Sequence, residues 1–135
     1  MAENAKSILL LDDDHFLLDL YSVKFTQDGF LVHACSSVED AVKTLKEGFK
    51  ADAVVFDLVM PGQDGFAFLA ALQAENLAPN AVRIALTNQS NDDEKKRAKD
   101  LGVNKYIIKA SMIPSEVVAV VSAELDHPSP KEERD

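Results

Sequence analysis

Four strand-like runs in this chain, the first two entirely apolar, stop at a residue that can do chemistry. Run 8–11 ends in Asp12, Asp13 and Asp14, run 53–56 in Asp57, run 81–86 in Thr87 and run 103–108 in Lys109. Brought to one place, the carboxylates of Asp12, Asp13 and Asp57 would repel strongly. Two carboxylates ~4 Å apart cost ~4 kcal/mol at an effective dielectric of ~20. Such a cluster takes up protons or holds cations. Lys109 supplies one positive charge, and a hard divalent ion is the natural remainder. Mg²⁺ suits a site with few protein ligands, because it keeps several waters and binds phosphate oxygens. A carboxylate nucleophile, a metal, a lysine and a hydroxyl donor are the parts of a phosphoryl-transfer site.

The elements that must position these residues alternate along the chain. The run 8–11 reads as a strand. Phe16, Leu17, Leu20, Tyr21 and residues 23–25 then recur at helical spacing until Asp28-Gly29. Residues 30–35 read as a strand and 37–47 as a helix, with Ser37 and Asp40 as a capping box and Gly48 as its stop. Strand 53–56 follows, then a turn at Pro61-Gly62. Asp64 caps a helix through Phe66, Leu69 and Leu72 to about Asn76. Strand 81–86 leads to a helix over 91–101, capped by Ser90 or Asn91 and stopped by Gly102. Strand 103–108 precedes a last helix over 113–125, with Pro114 in its first turn. Its run Val117-Val118-Ala119-Val120-Val121 is β-branched. Glu116, Ser122 and Glu124 around it favour helix over strand.

Five strand–helix repeats with continuous apolar strands predict an α/β fold: a doubly wound, five-stranded parallel sheet with helices on both faces. In such a sheet, ligands gather at the carboxyl ends of the strands, where Asp12, Asp13, Asp57, Thr87 and Lys109 fall. Residues 1–125 read as one domain and 126–135 as a short charged tail with Pro128 and Pro130, a frayed end. The helix over 92–100 is almost entirely charged, so its packing stripe is thin and it is expected to be weakly held.

Composition narrows the function classes. The chain has 135 residues, 47% of them hydrophobic, enough for one real core. With Lys plus Arg at 14 and Asp plus Glu at 23, the net charge is −9, which gives no general basic surface for nucleic acid. No run approaches the ~20 apolar residues of a membrane span, and no targeting segment is visible. The expected compartment is the reducing cytoplasm. The single cysteine, Cys35, reads as a small buried hydrophobe. His15, His33 and His127 are too scattered for a metal set. Asp14 reads as a solvated helix cap.

The residues resemble the receiver domains of two-component response regulators, including the single-domain chemotaxis type, over roughly residues 6–125. The carriers are Leu9-Leu10-Leu11-Asp12-Asp13-Asp14, the stretch from Val54 to Gly65 with Asp57, Met60-Pro61-Gly62 and Asp64-Gly65, then Ala85-Leu86-Thr87 and Tyr106-Ile107-Ile108-Lys109. The resemblance implies the flavodoxin-like strand order 2-1-3-4-5. It implies that Asp57 is the phosphoacceptor, taking its phosphoryl group from the phosphohistidine of a sensor histidine kinase or from a phosphotransfer protein. Asp13, Asp57 and the backbone carbonyl of Val59 look like Mg²⁺ ligands, with Asp12 acting through water. Thr87 would donate its hydroxyl to the phosphoryl group and Lys109 would pair with it. Tyr106 looks like an aromatic switch that turns inward when Thr87 moves; the other reading is a packing tyrosine with a wet hydroxyl. Phosphorylation would shift a pre-existing equilibrium, read by a downstream protein on the face of the fourth helix, fifth strand and fifth helix. With no output domain in the sequence, the phosphorylated domain itself is the expected message.

Departures from the family pattern matter too. Ala110 follows Lys109 where the family usually has proline in a cis bond. A cis bond before a non-proline residue costs ~2.5–4 kcal/mol, so the expectation is a trans bond and a looser Lys109. Asn88 replaces a small residue and narrows access to Asp57. Gln89 could orient a water; Val59 cannot. Two other functions stay open. A non-phosphorylated, degenerate receiver would act as an interaction module, with Lys105, Tyr106 and an outward-facing Val118 as a docking or homodimer face. A haloacid-dehalogenase-like phosphohydrolase would use Asp12-Asp13-Asp14, but it leaves Asp57 unemployed.

Overall fold

The computed structural model describes residues 5–88 and 91–126. Five strands form one sheet: β1 (Ser7–Leu11), β2 (Leu31–Cys35), β3 (Ala53–Phe56), β4 (Val82–Thr87) and β5 (Lys105–Ile108). All neighbours pair in parallel, in the order β2-β1-β3-β4-β5. The helices are α1 (His15–Gln27), α2 (Val38–Lys46), α3 (Gly65–Ala74), α4 (Asp92–Asp100) and α5 (Pro114–Asp126), with one 3₁₀ turn at Lys109–Ser111. The β-branched run in the last element is therefore helical, as its polar flanks argue.

Successive strand residues point to opposite faces, and here both faces are covered. Ile8, Leu10, Val55, Ile84 and Ile107 pack with Leu18, Tyr21 and Phe25 of α1 and Val117, Val118 and Val121 of α5. Leu9, Leu11, Val54, Phe56 and Ala85 pack with α2, α3 and Ala98 of α4. Val118 is 5% exposed within the first of these cores. That corrects the expectation that it faces outward: α5 presses both Val117 and Val118 onto the sheet.

Side-chain oxygens start the helices where the sequence places them. Asp14 accepts from the Leu17 N–H at 3.1 Å, Ser37 from Asp40 at 3.1 Å and Asp64 from Ala67 at 3.0 Å. Asn91 caps α4, accepting from Asp93 at 2.8 Å and Glu94 at 3.2 Å. Each bond satisfies an N–H with no partner inside the helix. The other proposed cap, Ser90, lies outside the described residues, as do Gln89, His127 and nearly all of the tail. Gly48 ends α2 at φ +111, backbone that an L side chain resists. β5 starts two residues later than the strand read from the sequence, and Asn104 clamps the backbone just before it. The Asn104 side chain accepts from the Arg83 N–H at 2.8 Å, and the Asn104 N–H donates to the Arg83 carbonyl at 2.7 Å. Among the described residues, no helix is long and apolar enough to cross a membrane.

Candidate functional site

The parallel ladder continues one residue past the strands and thereby fixes two acids side by side. The Asp12 N–H donates to the Cys35 carbonyl at 3.2 Å, and the Asp57 N–H to the Leu11 carbonyl at 3.0 Å. β5 delivers Lys109 to the same rim. Its Nζ donates to Asp12 Oδ2 at 2.6 Å and to Asp57 Oδ2 at 2.8 Å. All three are largely withdrawn from water: Asp12 is 5% exposed, Asp57 7% and Lys109 9%. Thr87, at the end of β4, is fully buried.

The remaining carboxylate oxygens are also held. Asp57 Oδ1 accepts from the Val59 N–H at 3.0 Å, and Asp12 Oδ1 from the Asp14 N–H at 2.9 Å. Both contacts are short loops folding back on their own acid, which fixes each carboxylate plane. Asp13 stands more open to solvent. Single oxygens of Asp12, Asp13 and Asp57 lie within 4.8 Å of one another.

The electrostatics follow from burial and pairing. Burial pushes the Asp12 carboxyl above its ordinary value, opposed by the hydrogen bond and charge of Lys109. Burial alone would lower the Lys109 ammonium. The bonds and charges of Asp12 and Asp57 outweigh it and hold Lys109 above the ordinary lysine value. Lys109 is thus a fixed cation between two acids.

The loop after β5 meets one sequence expectation and departs from another. The Lys109–Ala110 peptide is trans, and no cis peptide occurs among the described residues. Yet Lys109 is not loose, because residues 109–111 tighten into the 3₁₀ turn and the side chain is anchored at both ends. Asp12 meets Lys109 directly through Oδ2.

Two residues were missed by sequence reasoning. Tyr21 is buried on α1 beneath the acids, and with Leu18, Leu86, Asp12 and Asp57 it lines a void of about 10 Å³. Burial, and more weakly the charges of Asp12, Asp57 and Asp14, raise its phenol pKa against the lowering pull of Lys109. Its helical spacing marked it only as core. Gly65 brings α3 against the loop after β3. A Cβ there would run into the Asp57 carbonyl oxygen and come within 2.8 Å of Leu58 Cα. Nothing in the Asp-Gly pair distinguishes that need from a turn.

A doubly wound parallel sheet with an aspartate pair and a lysine at its carboxyl edge defines a class of acidic-pocket α/β domains. Residues 8–122 match the response regulator receiver domain family, and the chain belongs to that family. Among curated relatives it is 26% identical over 126 residues to the phosphate regulon transcriptional regulatory protein PhoB of Escherichia coli, covering 93% of this chain and 54% of that protein. It is 29% identical over 123 residues to the transcriptional regulatory protein GltR of Pseudomonas aeruginosa, covering 91% and 50%. The chain therefore spans about half the length of the curated relatives it matches. Among solved structures it resembles a CheY-like receiver domain protein from Methanospirillum hungatei, with a TM-score of 0.81 at 21% identity, covering 96% of this chain and 98% of that one. It also resembles chemotaxis protein CheY4 of Vibrio cholerae, with a TM-score of 0.81 at 18% identity, covering 88% and 98%. Receiver domains are phosphoacceptor signalling domains of two-component systems that work with histidine kinases and downstream effectors, and not enzymes in the ordinary sense.

Proposed function

We propose that Asp57 accepts a phosphoryl group from the phosphohistidine of a sensor histidine kinase or a phosphotransfer protein. The observation that carries this is the Lys109 ammonium bridging Asp12 and Asp57 at 2.6 and 2.8 Å, beside a third carboxylate. An Asp57 carboxylate oxygen attacks phosphorus, the P–N bond breaks, and the imidazole leaves with the electron pair. The Val59 N–H and Lys109 hold the attacking carboxylate in one plane. Lys109 and the Thr87 hydroxyl then offer donors to the phosphoryl oxygens, where charge is greatest.

The donor set fits Mg²⁺: hard carboxylate oxygens close together, with Lys109 balancing only part of their charge. Asp13, Asp57 and the Val59 carbonyl would hold the ion, and Asp12 would reach it through water. When bound, Mg²⁺ supplies charge neutralisation at the phosphoryl oxygens. Tyr106 and Thr87 carry the state of Asp57 to the face of α4, β5 and α5, where a downstream partner or a second copy docks. Lys105 is exposed there and Tyr106 half-buried, while the buried Val118 takes no part.

The test is incubation with acetyl phosphate and Mg²⁺ followed by intact-mass measurement. Wild type should gain one phosphoryl group and Asp57→Asn none. Equal labelling of both would move the acceptor elsewhere. No gain in wild type, with no spectral response to beryllofluoride, would leave the interaction-module reading in its place.

A further inference from the structure

α4 is seated unusually. Its sequence DDEKKRAKD offers one fully buried apolar side chain, Ala98. Two cations hold it instead. The Arg97 guanidinium lies 4.0 Å from the centre of the Phe66 ring of α3, and Lys95 Nζ lies 5.9 Å from the centre of the Tyr106 ring of β5. Both are within cation–π range. Both cations follow Glu94 within one helical turn and are turned away onto aromatic rings. Glu94 is left with a buried oxygen, Oε1, that has no hydrogen-bond partner among the described residues. Its charge reaches Tyr106: after burial, Glu94 is the next cause that raises that phenol's pKa. An unpartnered buried acceptor is costly and invites an explanation.

We propose that Glu94 is a positioning residue that couples Tyr106 to α4, its unpartnered oxygen being the acceptor that the Tyr106 hydroxyl takes in the second of two ring positions. The inference rests on the phosphoacceptor reading above, since it gives that reading its route from β5 to α4. In the arrangement described here, Tyr106 is engaged by other contacts and Lys95 covers its ring. When the ring moves, the hydroxyl satisfies Glu94 and Lys95 loses its aromatic face. α4 then shifts as a unit, because little apolar packing resists it. The state with Asp57 modified is thereby favoured by filling an acceptor that the unmodified state leaves open.

The test uses the full chain and the affinity for beryllofluoride with Mg²⁺, followed by amide chemical shifts. Glu94→Ala and Tyr106→Phe should each weaken binding about tenfold, equivalent to ~1.4 kcal/mol. The double variant should be no weaker than either single one, because both remove the same bond. Glu94→Gln, which keeps an acceptor oxygen, should retain most of the affinity. The α4 amide shifts that accompany binding should shrink in Glu94→Ala. If Glu94→Ala binds as wild type, or loses as much in the Tyr106→Phe background as alone, the coupling is overturned. If wild type itself shows no response, the phosphoacceptor reading fails and the inference falls with it, a result distinct from either of those.

Discussion

Lys109 Nζ stands 2.6 Å from Asp12 Oδ2, although 97 residues of chain separate them, and the same nitrogen reaches Asp57 Oδ2 at 2.8 Å. One cation therefore ties the first, third and fifth strands together at their carboxyl ends. The pairing is buried, so water screens it little, and each member depends on the others for its charge balance. Stability and chemistry meet in this contact.

Replacing Lys109 by methionine keeps most of the length of the side chain and removes its charge. Asp12 and Asp57 would then face each other uncompensated. Breaking a buried pair in this way costs roughly 3–5 kcal/mol, and urea unfolding at neutral pH should show a loss of that order. Adding Asp57→Asn to Lys109→Met removes one of the repelling charges and should restore part of it. The pH dependence has a definite sign. The folded-state pKa of Lys109 is raised above the ordinary 10.5, so its contribution is present in full below 10.5 and is lost as pH rises through the folded value. The gap between wild type and variant should stay level near neutrality and narrow only in strong alkali.

Gly65→Ala sets helix propensity against packing. Alanine in a helix is better than glycine by about 1 kcal/mol. The new Cβ, however, would run into the Asp57 carbonyl oxygen and come within 2.8 Å of Leu58 Cα, and both are backbone atoms that cannot swing aside. Overpacking of this kind costs about 1–3 kcal/mol, so net destabilisation is expected. The Asp57 loop should move with it, weakening Mg²⁺ binding as well. An equally stable variant with unchanged Mg²⁺ affinity would show that α3 can retreat freely.

Most of the frame was legible because strand ends and helix caps are local events. The run 53–56 coincides with β3, and Asp14, Ser37, Asp64 and Asn91 cap the helices as their types demand. Asp12, Asp57 and Lys109 could be placed at one rim because a parallel sheet sends every strand end the same way. What the sequence hid depends on side-chain direction. Val118 lies beside Val117, and only the tilt of α5 decides that both reach the core. The tight grip on Lys109 arises from a 3₁₀ turn that no proline announces. Tyr21 looks like any core residue until α1 is laid beneath the acids. Glu94 and Lys95 look like solvated charges until β5 sets Tyr106 against them.

Cys35 offers an independent check on the core. Burial pushes its thiol up to about 11, only partly offset by Thr44 Oγ1 at 3.7 Å from its Sγ. At pH 8 the thiolate should be scarce and the folded protein should react slowly with a disulfide reagent, speeding up sharply in urea. The sign for stability follows. The unfolded thiol ionises near 9.0 and the folded one near 11, so stability present below 9.0 is lost as pH climbs to about 11. Cys35→Ala should flatten that part of the pH profile. Rapid labelling of the native protein at pH 8 would place the thiol at the surface.

Asp13 separates the roles of the three carboxylates. It is more open to solvent than Asp12 and Asp57, and Lys109 is bonded to the other two. Asp13→Asn should therefore change stability without metal by no more than about 0.5 kcal/mol, the usual range for a surface change. Mg²⁺ should behave differently. A ligand that binds only the folded state stabilises by about 2.7 kcal/mol at a hundred times its Kd, so wild type should show a Tm that rises with Mg²⁺ concentration. Asp13→Asn removes one of the few hard oxygens on offer, and the rise should require at least tenfold more Mg²⁺. Asp57→Asn should lose the rise as well, while also leaving Lys109 with one acid partner instead of two. If the Asp13→Asn protein gained as much from Mg²⁺ as wild type, the ion would be binding away from this rim, and the three carboxylates would have to be read as a charge cluster balanced by Lys109 alone.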